Sequence, residues 1–164
     1  MKICVCGSPW SGKSTLTNKL SKKHNIDVYH LDELFIDDNW NKKTIEERTA
    51  IQKEILDSNT DRIIDWNYWD TMRDRIDVCD IIYILNIPRL VCIYRIIKRY
   101  IYNKLKLRSR IWIWEKKPVI SRSFIIFVWN YHKTSWNIIL KKLIKQNTLD
   151  KEVYIINRKD QIIN

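Results

Sequence analysis

Glycine is nearly absent from this chain: 164 residues contain two, Gly7 and Gly12. No low-complexity block or internal repeat is present. Apolar runs are short. Phe124-Ile125-Ile126-Phe127-Val128-Trp129 is typical of the longest, far below the roughly 18 residues that a bilayer-spanning helix needs, so no membrane partner is expected. The four cysteines, Cys4, Cys6, Cys79 and Cys92, form no C-x-x-C spacing. That argues against a zinc site or a disulfide framework, and for buried free thiols in a reducing compartment. The first residues lead straight into an apolar run, without the charged, apolar and cleavage regions of a leader. A cytoplasmic location is the expectation.

Acids are outnumbered, 19 against 30 Lys and Arg, for a net charge of +11. The excess is local. Residues 1–87 hold 12 basic and 15 acidic groups, whereas Pro88 to Lys117 hold ten basic groups and one acid, Glu115. Such a block attracts polyphosphate, nucleic acid or an acidic surface, or serves as a solvated helix face. With 45% hydrophobic and 30% charged residues, the composition is that of a folded domain. The length suits one domain spanning 1–164.

Both glycines stand in one stretch, Gly7-Ser8-Pro9-Trp10-Ser11-Gly12-Lys13-Ser14, which is G-x-x-x-x-G-K-S. This is the phosphate-binding pattern of nucleotide enzymes. An apolar β-prone run, Lys2 to Cys6, precedes it, and Thr15 to Lys23 follows with helical spacing of Leu16 and Leu20. Strand, glycine loop and helix together turn the pattern into a prediction. Residues Gly7 to Thr15 are expected to bind ATP through backbone N–H groups at the positive end of a helix. Lys13 would bridge the terminal phosphates, and the Ser14 hydroxyl would ligate Mg²⁺.

Further along, Asp27 to Asp32 reads as a strand, and Thr44 to Leu56 as a helix with a capping box at Thr44 and Glu47. Asp61 to Trp66 and Cys79 to Leu85 read as strands, the latter apolar enough for the centre of a parallel sheet. Helices are expected from Pro88 and from Ser121 to Lys145, then a last strand, Val153 to Ile156. Alternating strands and helices give a three-layer α/β fold with a parallel sheet. Ligands in such sheets bind at the carboxyl ends of the strands, where the loop, Asp32 and Asp65 would meet. Asp65 is the expected Mg²⁺ ligand or water-holder, with Asp32 the alternative. Asp32 could instead serve as general base on an acceptor hydroxyl. Arginines must supply charge to a migrating phosphoryl group; Arg95, Arg99 and Arg108 are the favoured candidates. His30 is read as structural. Ile111-Trp112-Ile113-Trp114 offers either base-stacking surfaces or a buried lid segment.

Four segments carry a resemblance: G-S-P-W-S-G-K-S-T-L, V-Y-H-L-D-E-L-F around Asp32, I-I-D-W-N-Y around Asp65, and P-R-L-V-C-I-Y-R-I-I-K-R from Pro88. Together they resemble the bacterial DNA topology modulation proteins, adenylate-kinase-like members of the P-loop kinases, in register to about Arg158. The resemblance implies a nucleoside-monophosphate-kinase-like fold with a small lid. It places an acceptor-binding insertion at about 30–60 and a basic lid at about 104–120. It implies acceptor contacts from Asp32, Trp66, Tyr68 and Arg75. Where such proteins carry glycine, this chain has Trp10 and Trp66, and both indoles are expected to face or flank the cleft. The expected activity is ATP-dependent kinase or phosphotransferase. The alternative is an ATPase or nucleotide-binding regulator acting on DNA through the basic surface. Monomer and homodimer both remain open.

Overall fold

Five short strands, rich in isoleucine, build the sheet. In the computed structural model the described residues are 1–37, 41–58, 60–66, 71–107, 121–131, 133–134 and 151–158. The described side chains exclude those of Trp66, Arg73 and residues 103–107. The elements are β1 (Lys2–Gly7), α1 (Lys13–His24), β2 (Asp27–His30), α2 (Leu31–Leu34), α3 (Ile45–Asp57), β3 (Arg62–Trp66), α4 (Met72–Val78), β4 (Ile81–Leu85), α5 (Arg89–Leu107), α6 (Arg122–Tyr131) and β5 (Glu152–Ile156).

All four strand pairings are parallel, in the order β2-β3-β1-β4-β5. β1 is therefore central, with Val5 beside Asp65 on one side and Tyr83 on the other. Its side chains alternate between two cores. Cys4 and Cys6 join Leu31, Phe35, Ile55, Met72 and Ile76 under α2, α3 and α4. Ile3 and Val5 join Leu16, Leu20, Cys92, Ile96 and Val128 under α1, α5 and α6. The result is helices on both faces of a parallel sheet, as expected, with the carboxyl ends of β1, β2 and β3 side by side.

Three local features differ from the sequence reading. β2 stops at His30, and Asp32 lies on the short helix α2. The cause is the i, i+4 pair Leu31 and Phe35, both fully buried in the α2–α4 core, which winds the chain immediately after the strand. α4, unanticipated, buries Met72, Arg75 and Ile76. Cys4 and Cys79 form a disulfide, with Cα atoms 6.2 Å apart, so only Cys6 and Cys92 are free thiols. Those two cysteines are 75 residues apart in sequence; the pairing of β1 with β4 brings them together. The capping box on α3 is present as predicted: Glu47 N–H donates to Thr44 Oγ1, and Thr44 N–H to Glu47 Oε2. The helix expected over 121–145 is seen as α6; residues 135–145 lie outside the described residues.

Candidate active site

The loop between β1 and α1 is built by its two glycines. A Cβ on Gly7 would lie 2.7 Å from the Leu85 carbonyl oxygen and 2.8 Å from Leu85 Cβ, with φ at +155°. Only glycine lets β1 leave the sheet this close to β4. Gly12, with φ at 109°, turns the chain into α1. Between them, the Ser11 N–H donates to the Ser8 carbonyl at 3.1 Å. α1 begins with neither a side-chain cap nor an acidic residue in its first turn, so its positive dipole end faces the loop unopposed. Ser11 is fully buried, and its hydroxyl has no hydrogen-bond partner. A positive helix end with no acidic residue in its first turn suits an anion.

Lys13 is buried, and its Nζ donates to the Gly7 and Ser8 carbonyls at 3.4 and 3.3 Å. The ammonium thus sits inside the curve of the loop. One residue on, the Ser14 hydroxyl donates to Asp65 Oδ2 at 3.4 Å. His30 Nδ1 lies 3.3 Å from the same oxygen, because β2 and β3 pair His30 with Asp65. Burial raises the Asp65 carboxyl above its ordinary value; Lys13 and His30 oppose the rise, and Asp32 adds to it. Cys6, beneath the loop, is pushed up to about 12 by burial, against the pull of Lys13 and Arg75. That thiol stays protonated and inert as a nucleophile.

α5 reaches the loop with two arginines. Arg95 donates from one guanidinium nitrogen to the Trp10 and Ser11 carbonyls at 2.9 and 2.7 Å. Arg99 lies over the Trp10 ring, 5.0 Å from its centroid. Trp10 itself holds φ at 65°, the left-handed region that glycine tolerates and larger residues avoid. Its ring packs with the core of the α1 and α5 layer. The indole was expected to face or flank the cleft; its ring lies on the α1 and α5 side of the sheet.

The remaining predicted residues divide. Asp32 is exposed on α2, near enough to influence Asp65. Arg75 is fully buried on α4 and close to Cys6. Pro9 is partly buried in the loop, and Thr15 is exposed in the first turn of α1. Tyr68, Arg108 and the side chain of Trp66 lie outside the described residues. Sequence reasoning missed His30, whose pairing with Asp65 depends on strand register. It also missed Arg48 and Gln52, both buried on α3. Arg48 Nε donates to the Lys43 and Thr44 carbonyls at 3.1 and 3.2 Å, with its guanidinium 5.9 Å from the Phe35 ring centroid. Gln52 Nε2 donates to the Thr71 carbonyl at 2.9 Å, tying α3 to the start of α4.

No protein-family model matches the chain, and no curated protein does. Solved structures do. The shikimate kinase from Acinetobacter baumannii in complex with shikimate superposes with a TM-score of 0.60, covering 99% of this chain and 88% of that one at 11% identity. The deoxyadenosine kinase from M. mycoides with bound dATP gives 0.54, covering 99% and 95% at 16% identity. An unliganded sugar kinase from Janibacter sp. HTCC2649 gives 0.51, covering 99% and 89% at 14% identity. The chain has the fold of the P-loop kinases. At these identities the likeness describes architecture, and the three kinases are named for three different acceptors.

Proposed function

We propose that the chain is an ATP-dependent kinase, moving the γ-phosphoryl group to a nucleotide-like or small hydroxyl-bearing acceptor. The observation that carries this reading is the arrangement at the loop: buried Lys13 inside its curve, and Ser14 facing Asp65 across the ends of β1 and β3. The Gly7 to Thr15 segment would cradle the phosphates of ATP. Lys13, now held by carbonyls of its own loop, would exchange them for phosphate oxygens of higher charge. Mg²⁺ takes one or two protein oxygens beside phosphates and water. Ser14 Oγ and Asp65, already in hydrogen-bond contact, fit that requirement, and the ion would supply neutralising charge. His30 fixes the carboxylate that Ser14 faces.

Asp32, exposed beyond Asp65, is the proposed general base for the acceptor hydroxyl. Arg95 holds the loop in shape, while Arg99 and Arg108 are the arginines proposed to meet the migrating group. The acceptor would lie under the 30–60 insertion, among Asp32, Trp66, Tyr68 and Arg75, with the lid at about 104–120 closing over it. At the finer level, the four motif segments support assignment to the DNA topology modulation proteins. The regulator alternative relies on free cations after Pro88. On α5, Arg95 and Arg99 are engaged by the loop, and Arg89 lies 4.0 Å from the Trp129 ring centroid. Those contacts occupy three of the ten cations between Pro88 and Lys117. Incubating the chain with γ-labelled ATP, Mg²⁺ and a panel of nucleosides, nucleotides and sugars tests the proposal. Label should move to one acceptor class; release of labelled phosphate alone across the panel would count for an ATPase.

A further inference from the structure

His30 is held from two directions. It ends β2, whose register with β3 sets it beside Asp65, and paired residues of neighbouring strands present their side chains to the same face. Beyond it the chain winds at once into α2, anchored by buried Leu31 and Phe35. The ring is thereby fixed within reach of the carboxylate. Nδ1 lies 3.3 Å from Asp65 Oδ2, with the two side chains 26% and 10% exposed. An ionised carboxylate only accepts hydrogen bonds, so Nδ1 is the nitrogen that donates.

Asp65 has two other favourable neighbours, and both would change partners when nucleotide enters. The Ser14 hydroxyl reaches the same Oδ2 at 3.4 Å, yet in the proposed ATP site it also turns to Mg²⁺. Lys13, whose charge steadies the carboxylate, would turn to phosphate. Asp32, the other ionisable group that acts on Asp65, is an acid and opposes its charge. His30 alone is pinned by strand register, so its donor stays in place whatever the loop binds. Burial works against the charge on Asp65, and a buried carboxylate deprived of a donor is costly to keep ionised. Groups that donate to a metal-binding carboxylate from behind fix its direction, and losing one typically lowers metal affinity about 10- to 100-fold.

We infer that His30 is a positioning residue for the metal: it holds Asp65 Oδ2 throughout nucleotide binding and so sets the affinity for Mg²⁺ without touching ATP. The inference rests on the proposed ATP site and deepens it. Lys13 and the loop govern how tightly ATP binds; His30 governs how much that binding gains from the ion.

Calorimetric titration of ATP in EDTA and at a series of free Mg²⁺ concentrations tests this, with two variants of the same shape. His30→Asn keeps an N–H one bond from Cγ, where Nδ1 stands; His30→Leu has none. His30→Leu should need roughly 10- to 100-fold more Mg²⁺ for the same gain in ATP affinity, with affinity in EDTA unchanged. His30→Asn should stay close to wild type. Nitrogen-15 NMR of the wild-type chain reads the donor without relying on the fold of any variant: His30 Nδ1 should carry a proton with and without MgATP. A wild type whose ATP binding is absent or gains nothing from Mg²⁺ overturns the ATP-site reading and this inference with it. Where the wild type does bind MgATP, three results overturn the role of His30 alone. They are an unchanged Mg²⁺ requirement in His30→Leu, an equal loss in both variants or in EDTA, and an Nδ1 without its proton in the MgATP complex.

Discussion

Replacing Trp10 by glycine tests how the loop of this chain is held. Three effects compete. The left-handed backbone at Trp10 costs a non-glycine residue about 1–2 kcal/mol, and glycine would recover it. Against that, the variant loses the Arg99 contact, about 0.5–1 kcal/mol for an exposed cation–ring pair. It also loses the burial of a partly covered indole: about 100 Å² at ~25 cal/mol per Å² is about 2.5 kcal/mol. Packing wins, and the net destabilisation is about 2 kcal/mol, or roughly 4–8 °C in Tm for a domain this size. Thermal unfolding by circular dichroism measures it. Arg99→Ala should then cost about 0.5–1 kcal/mol in the wild-type background and nothing beside Trp10→Gly. A glycine variant more stable than wild type, or no coupling between the two positions, would refute the placement of Trp10 under α5. MgATP affinity should change little, because the loop amides and Lys13 remain.

Arg95→Ala removes two charged hydrogen bonds to the loop carbonyls, together about 1.5–3 kcal/mol, so calorimetry should show MgATP binding weakened by roughly 10- to 150-fold. Unchanged binding with slowed transfer would instead make it a catalytic group. Asp65 holds its proton more tightly folded than unfolded, since burial raises it; stability is therefore lost as pH rises from the ordinary aspartate value of about 3.9. Asp65→Asn should melt higher than wild type at neutral pH with a flatter pH profile, while the Mg²⁺ dependence of nucleotide binding disappears. A lower melting temperature would contradict that cause. Cys4 and Cys79 are bonded and Cys6 and Cys92 buried, so iodoacetamide should leave the native oxidised protein untouched and alkylate two thiols after denaturation without reductant. Four alkylations would remove the disulfide.

The strand–loop–helix unit was legible because local rules specify it: two glycines in a chain with no others, then helical spacing of Leu16 and Leu20. The capping box on α3 was legible for the same reason. Contacts set by strand order were not. That β1 lies between β3 and β4, that Cys4 meets Cys79, and that His30 faces Asp65 all follow from non-local pairing, which a single sequence does not encode in its spacing. Asp32 was misplaced because Tyr29-His30-Leu31-Asp32 alternates like a strand, while Leu31 and Phe35 pack at helical spacing. The side of the sheet taken by the Trp10 ring was not legible either, because the backbone at φ 65° sets its direction toward α1 and α5.

The central claim is that Lys13 and its loop bind the phosphates of ATP. Titrating MgATP into the wild-type chain and into Lys13→Ala tests it most directly. The account predicts saturable one-site binding by the wild type and a loss of roughly 10- to 150-fold in the variant, the worth of a charged hydrogen-bond donor. Equal affinity in the two proteins, with both folded, would contradict it.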